Sequence, residues 1–348
     1  LHMNNKTANV FCLELEKTGP IKHHKEGQYV FIKVPFISKY QWHPFTISSP
    51  PEQNTLTLHI RNMGDGTWTD RVQTFFQAMA PNKAYTELYH RSGNSLIPQT
   101  IGPDGKQLIC IDGPMAAPTQ HLGEYSTSIV VGAGIGVTPL RATLLSIIYY
   151  RFKRGVGRSF PDHSYSVWIV NYKQLEAYRF MCRTLKEISD ELYNMGDLKQ
   201  SNKSIQIHIF VTSVPDSIPA FNEAEVLNLE NDKQKDLALW GQHYDQMVHE
   251  SLNSIQHKRV RAPFNEIDIW KCLKQPSDDP VQIGHICIHK GRPTWDNIFA
   301  PIQQKYVGNN IGVLYCGPVV IASELKRLCG KYTDLETKTR FVLHKENF

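Results

Sequence analysis

The feature that most constrains this chain is the run Val130-Val131-Gly132-Ala133-Gly134-Ile135-Gly136-Val137-Thr138-Pro139. An apolar stretch feeds three alternating glycines, and a helix is expected to follow through Tyr150. A strand that turns this tightly into a helix points backbone N–H groups and the positive helix end into one crevice. Absent side chains let a pyrophosphate approach the backbone there. The spacing is Gly-x-Gly-x-Gly, not Gly-x-Gly-x-x-Gly, and no acidic ribose ligand stands about twenty residues on. Taken alone, the turn is equally a place where a helix packs on its strand.

The surrounding rhythm favours the nucleotide reading. Ser128–Val131, Ser166–Val170, Ile205–Val211, Ile311–Tyr315 and Arg340–Leu343 read as strands, with helices over Leu175–Leu192 and from Pro318 to Leu328. Alternating β and α elements imply a doubly wound parallel sheet. Cys316-Gly317-Pro318 closes one of these strands, so two glycine turns could flank one dinucleotide at the strand ends.

The first part of the chain has a different texture. Val10–Leu15, Tyr29–Val34, Thr46–Ser49, Leu56–Arg61 and Leu108–Ile111 are short β-prone runs between Gly, Pro and Asn turns. One helix, over Asp70–Ala80, carries Val72, Phe75, Phe76 and Met79 at helical spacing. The expected fold class is α/β with a β-barrel domain: an antiparallel barrel over residues 1–118, then a doubly wound parallel-sheet domain over 119–348. A length of 348 residues suits two cores. Between Val214 and Gln282 the alternation lapses into a polar, proline-bearing stretch, read as an insertion at 214–282. It holds a helix-like segment, Asp236–Ile255, and the basic run His257-Lys258-Arg259-Val260-Arg261.

Charge and cysteine usage narrow the partners. With 38 basic and 33 acidic residues the net charge is +5 and no basic block stands out, which argues against nucleic acid and allows small anionic ligands. Apolar runs are too short to span a bilayer. Leu1-His2-Met3 lacks the regions of a signal peptide and reads as a cloning remnant. Seven scattered cysteines without a Cys-x-x-Cys pair suit a reducing compartment, and fifteen histidines form no spaced pairs on an apolar helix, so no metal site is expected.

The barrel carries its own motif, His43-Pro44-Phe45-Thr46-Ile47-Ser48-Ser49-Pro50. It offers a ring for stacking, a hydroxyl for a ring heteroatom and backbone donors for phosphate oxygens. In His59-Ile60-Arg61, strand alternation puts His59 and Arg61 on one face, where a cation can pair with phosphate. Gly64-Asp65-Gly66-Thr67-Trp68-Thr69 then enters a helix, a second N-terminus for a pyrophosphate.

In this order the motifs resemble the ferredoxin–NADP reductase superfamily, and more closely the dehydrogenase region of the ferric reductase and NADPH oxidase group. His-Pro-Phe-Thr, His-Ile-Arg, Asp112-Gly113-Pro114, the glycine turn, Gly291-Arg292-Pro293-Thr294-Trp295, Cys-Gly-Pro and the closing Lys345-Glu346-Asn347-Phe348 carry the likeness. It covers nearly the whole chain outside the insertion. The resemblance implies FAD held by His43, Pro44, Phe45, Thr46, Ile47, Ser48 and Ser49, with Thr46 near the reactive nitrogen. Its pyrophosphate would meet His59, Ile60, Arg61, Gly66, Thr67, Trp68 and Thr69.

NADPH would lie on Gly132, Gly134, Gly136, Thr138 and Pro139, with Cys316, Gly317 and Pro318 at the nicotinamide and Phe348 over the flavin. Thr46, Cys316 and Phe348 would stand at the reacting atoms. Where many animal members have an arginine for the 2′-phosphate, this chain has Asn171-Tyr172-Lys173, leaving Lys173 and Arg292 as its cations. NADPH is still the expected nucleotide.

The activity implied is hydride transfer from NADPH to FAD, then single electrons to haems and oxygen in a membrane domain outside this sequence, giving superoxide. The fragment would sit at the cytosolic face of a membrane. The insertion is similar to that of calcium-regulated type 5-like oxidases, cyanobacterial homologues among them, which implies an EF-hand region as a further partner. The alternatives are the dehydrogenase domain of a ferric or other metal reductase, and a non-catalytic regulatory module.

Overall fold

A computed structural model describes residues 2–3, 10–17, 19–79, 89–92, 95–98, 105, 107–152, 161–195, 202–218 and 264–347. The sequence-predicted segments Asp236–Ile255 and His257–Arg261, and Phe348, lie outside them.

Two small antiparallel sheets form the first half. One joins β1 (His2–Met3), β2 (Val10–Glu16) and β5 (Thr55–Arg61); the other joins β4 (His43–Thr46), β3 (Tyr29–Lys33) and β8 (Cys110–Met115). A separate hairpin pairs β6 (Tyr89–Ser92) with β7 (Ser95–Pro98). Alternate residues of β2, β3 and β5 turn inward, so Phe11, Leu13, Val30, Ile32, Leu58 and Ile60 share a core. Trp68, Val72 and Phe76 of helix α1 (Trp68–Met79) pack on it. The helix begins two residues before the expected Asp70, because the Thr67 hydroxyl accepts the Asp70 N–H at 3.3 Å and so caps the first turn.

The second half is a seven-stranded sheet, ordered β12 (Val281–Ile283), β13 (Ile286–Lys290), β11 (Ser204–Thr212), β10 (His163–Asn171), β9 (Thr127–Ala133), β14 (Asn310–Gly317), β15 (Arg340–Asn347). All pairings are parallel except that of β12 with β13. β9 is buried along its whole length, as expected of a strand covered on both faces. One face carries α2 (Val137–Leu145), α3 (Arg179–Met195) and α4 (Glu266–Lys274); the other carries α5 (Asp296–Lys305) and α6 (Val319–Tyr332).

Three elements depart from their sequence-derived limits. The helix after the glycine turn ends at Leu145 and passes into a wider π-type turn over Ser146–Phe152. The helix expected from Leu175 is 3₁₀ over Tyr172–Tyr178 before α3 begins. Within the stretch read as an insertion, α4 and β12 belong to the fold: Phe264, Ile269, Trp270 and Leu273 are core residues. Glu266 is buried between Arg179 and Arg183 of α3, at 3.9 and 3.8 Å.

Candidate functional site

From β9 the chain crosses through α2 to β10 on one side, while β14 arrives on the other side of β9. The winding therefore reverses between β9 and β14, and a crevice opens beyond their carboxyl ends. In that register Cys316 stands opposite Gly132. The two glycine turns touch: a Cβ on Gly136 would lie 2.2 Å from the Cys316 carbonyl oxygen, so only glycine allows the approach. Gly134 has φ +57°, and a Cβ there would have only the Tyr178 hydroxyl near it, at 3.7 Å. Its backbone thus offers an open surface at the mouth of the turn.

The β14 side supplies a thiol and a carboxyl. Cys316 is buried, and its thiol is pushed well above its ordinary value by burial and by the Glu346 carboxylate. Glu346 is its register partner on β15, its carboxyl raised by burial and its Oε2 buried with no hydrogen-bond partner among the described residues. Gly317 pairs with Asn347, which sets residue 347 beside the Cys316 turn.

Tyr178, whose hydroxyl is the atom nearest Gly134, lines a cavity of about 210 Å³ together with Arg61, Lys173 and Glu176. The sequence placed Arg61 on FAD and Lys173 on NADPH; the structure puts both cations on one cavity. Asn171 Oδ1 accepts the Lys173 N–H at 3.0 Å and caps the 3₁₀ turn. Arg292 is exposed just after β13, beyond the end of β11, where Gly291 N–H donates to the Val211 carbonyl.

In the barrel, the His43 ring stacks on Trp68 with centroids 4.2 Å apart, and Phe45 stacks on the same indole at 5.8 Å. Burial lowers the His43 pKa, favouring the neutral imidazole. His43 Nε2 and Trp68 Nε1 are both buried without a partner among the described residues. Such orphans are uncommon in folded proteins and fit a polar, flat ligand. Pro44 is exposed on this edge strand, where its missing N–H costs no ladder bond, and Thr46 is the buried last residue of β4. The turn before α1 spends its donors internally: Gly66 N–H donates to Asp70, and Thr67 donates to the Gly64 carbonyl. Trp68 is largely buried.

Several residues expected to touch cofactor have other work. Ile47, Ser48, Ser49 and Ile60 have no exposed surface. Ser48 Oγ lies 2.7 Å from His59 Nδ1, and the Ser48 carbonyl accepts from Arg141 of α2 at 2.8 Å. His59 stacks on Phe180 of α3, centroids 3.9 Å apart, so the second half of the barrel motif joins the two halves of the molecule. Thr69 Oγ1 accepts the Met63 N–H. Thr138 donates to the Ile135 carbonyl, Pro139 is buried near Gly27, and a Cβ on Gly132 would meet the Gly136 carbonyl at 2.7 Å. These three shape the turn from within, and Pro318 is the extended residue that precedes α6.

Tyr178 and Arg141 carry no role in the sequence pattern and Glu346 none beyond the closing motif, although an arginine one turn into the helix after a glycine loop is a readable signal. Nor does that pattern single out the cluster of His208, Cys287 and His289.

Comparison with known proteins fits this geometry. A family profile described as "FAD-binding domain" matches residues 1–119, and one described as "Ferric reductase NAD binding domain" matches residues 125–330, more than half of the chain. The chain belongs to the ferric reductase NAD-binding family. Its members here are oxidases by name: "Putative respiratory burst oxidase homolog protein G" of Arabidopsis thaliana is 26% identical over 364 residues, and "Respiratory burst oxidase homolog protein B" of Oryza sativa subsp. japonica is 29% identical over 348. "NADPH oxidase 1" of Mus musculus is 28% identical over 343. The matches take in 100%, 98% and 98% of this chain but only 36%, 33% and 44% of those relatives, so the chain spans less than half of their length.

Among solved structures, flavohemoglobin from Malassezia yamatoensis covers 99% of this chain and 58% of its own at 14% identity, with a TM-score of 0.46. The two matched profiles give the chain an FAD-binding domain followed by a nucleotide-binding one. No described helix is long and apolar enough to cross a membrane.

Proposed function

We propose that this chain is the dehydrogenase part of a membrane NADPH oxidase, in which hydride passes from NADPH to FAD and electrons then leave singly for haems and oxygen, yielding superoxide. The observation that carries the reading is the contact of the Gly136 and Cys316 turns at the point where the sheet reverses. FAD, when bound, supplies the chemistry of accepting a hydride and releasing electrons one at a time. The protein's share is binding and orientation.

Gly134 and the start of α2 receive the nucleotide phosphates, with Arg61 and Lys173 on the neighbouring cavity and Arg292 at the far strand end as cations for a 2′-phosphate. Cys316 and Gly317 form an uncharged wall for the nicotinamide; the Glu346 carboxyl, its pKa raised by burial, is available to the amide. His43 and Phe45 with Trp68 stack the isoalloxazine, Thr46 bounds it, and the Gly66–Thr67 turn lies at the pyrophosphate. By the resemblance of the closing motif alone, Phe348 would shield the flavin from the arriving nicotinamide. The FAD domain covers 1–118 and the NADPH domain 119–348, with the inserted stretch confined to the residues before α4. Its His257–Arg261 run offers charge to an acidic EF-hand region, and Tyr40, Trp42 and Met63, exposed near the flavin stack, face the haem domain at the cytosolic side of the membrane.

An anaerobic titration of FAD-loaded protein with NADPH and with NADH, followed by flavin absorbance, tests this. Bleaching at lower NADPH than NADH is the expected result. Absence of bleaching by either would leave a regulatory module; reduction of ferric chelates in place of oxygen by the full-length protein would select the reductase reading suggested by the family's description. Phe348→Ser should speed hydride transfer.

A further inference from the structure

On the sheet face away from α3, His208 of β11 stands in register with Cys287 of β13, and His289 follows Cys287 on the same face. Ile207, Ile209, Ile286 and Ile288, the alternate residues, enter the opposite core. His208 Nδ1 and His289 Nε2 are 3.0 Å apart, and one nitrogen of each ring and Cys287 Sγ all lie within 4.8 Å of one another. Phe210 stacks on His289, centroids 4.1 Å apart, and fixes its ring. Both histidines are half-buried, so the site is reachable from solvent, while Cys287 forms its floor.

We propose that His208, Cys287 and His289 bind one Zn²⁺ ion. Two imidazole nitrogens and a thiolate are a common zinc donor set, with water in the fourth tetrahedral position. Zn–N bonds of about 2.05 Å in a tetrahedron set the nitrogens about 3.3 Å apart, so the pair needs to open by only a few tenths of an ångström. Binding replaces the N–H···N bond: each imidazole turns a lone pair to the metal and keeps its proton on the other nitrogen, and the Cys287 thiol releases one proton to water. The ion ties β13 to β11, three residues ahead of Arg292. Nothing in this assignment depends on which nucleotide the chain uses.

The test uses the whole chain, stripped with chelator and titrated under reducing conditions with Zn²⁺ against a chromophoric chelator, and separately with Co²⁺. The expected result is one ion per chain, intense tetrahedral Co²⁺ bands and a thiolate charge-transfer band. Cys287→Ser should abolish that band, and His289→Ala should weaken Zn²⁺ binding by about tenfold or more. Zn²⁺ should also protect Cys287 from alkylation in the wild-type chain, read by peptide mass spectrometry, which requires no variant to fold. No retained ion, an octahedral Co²⁺ spectrum, or Cys287 alkylated equally with and without Zn²⁺ would overturn the proposal.

Discussion

At the strand reversal the wall of the candidate site is backbone: Gly132, Gly134 and Gly136 contribute no side chain, and Gly136 rests directly on the Cys316 carbonyl. In the barrel the corresponding wall is a row of rings, His43 and Phe45 against Trp68, with two ring nitrogens unpartnered among the described residues. A wall of backbone has no slack, since an added methyl must displace a strand. A wall of rings can exchange one ring for another and keep its packing. The first should therefore fail all at once under substitution, and the second by degrees.

The sharpest way to break this contrast is Gly136→Ala. Overpacking of this kind costs about 3 kcal/mol or more when the obstacle is backbone, so urea unfolding should show that loss and nucleotide reduction of flavin should vanish. A fully active, equally stable Gly136→Ala would refute the backbone wall. Next in size is Arg141→Ala, which removes the donor that reaches the Ser48 carbonyl across the two halves and Thr184 Oγ1 within its own half. Unsatisfied partners of this sort cost about 1–3 kcal/mol, and calorimetry should show the two halves melting apart. His43→Phe should be milder: stability within about 1 kcal/mol of wild type, as a shape-conserving swap, with FAD affinity about fivefold weaker by equilibrium dialysis.

The smallest effect is acid dependence at the same seam. Glu26 is buried, yet Arg151 and Ser146 hold its carboxyl below the ordinary 4.5. Its contribution is full above 4.5 and fades as pH falls through the lowered value. Glu52, raised by burial, has the opposite sign: its cost appears as pH rises above 4.5. Melting temperature against pH should show a shallow maximum near 4.5, Arg151→Gln flattening the acid side and Glu52→Gln the other.

Much of this was readable from residue order. The glycine turn, the Cys-Gly-Pro turn and their shared crevice follow from strand–turn–helix patterning, which is local. The fate of Ser48 and His59 is not local: it depends on Arg141 and Phe180, which approach only when α2 and α3 dock on the barrel. The helix over Glu266–Lys274 was hidden by Pro263, Pro276 and Pro280 around it and by its charged residues, although Ile269, Trp270 and Leu273 anchor it. His208 and His289 are 81 residues apart, and only Cys287-x-His289 on one strand hinted at convergence.

The pairing of β9 with β14 has one more consequence, for chain length. Gly132 and Cys316 meet across about 180 residues of intervening chain. Closing so long a loop is a slow, late event in folding. Its entropic cost, however, grows only logarithmically, by about 0.6 kcal/mol for each doubling. Segments spliced into the excursion between β11 and α4 can thus lengthen or shorten while the crevice keeps its shape, leaving that stretch open to new control elements without refounding the enzyme.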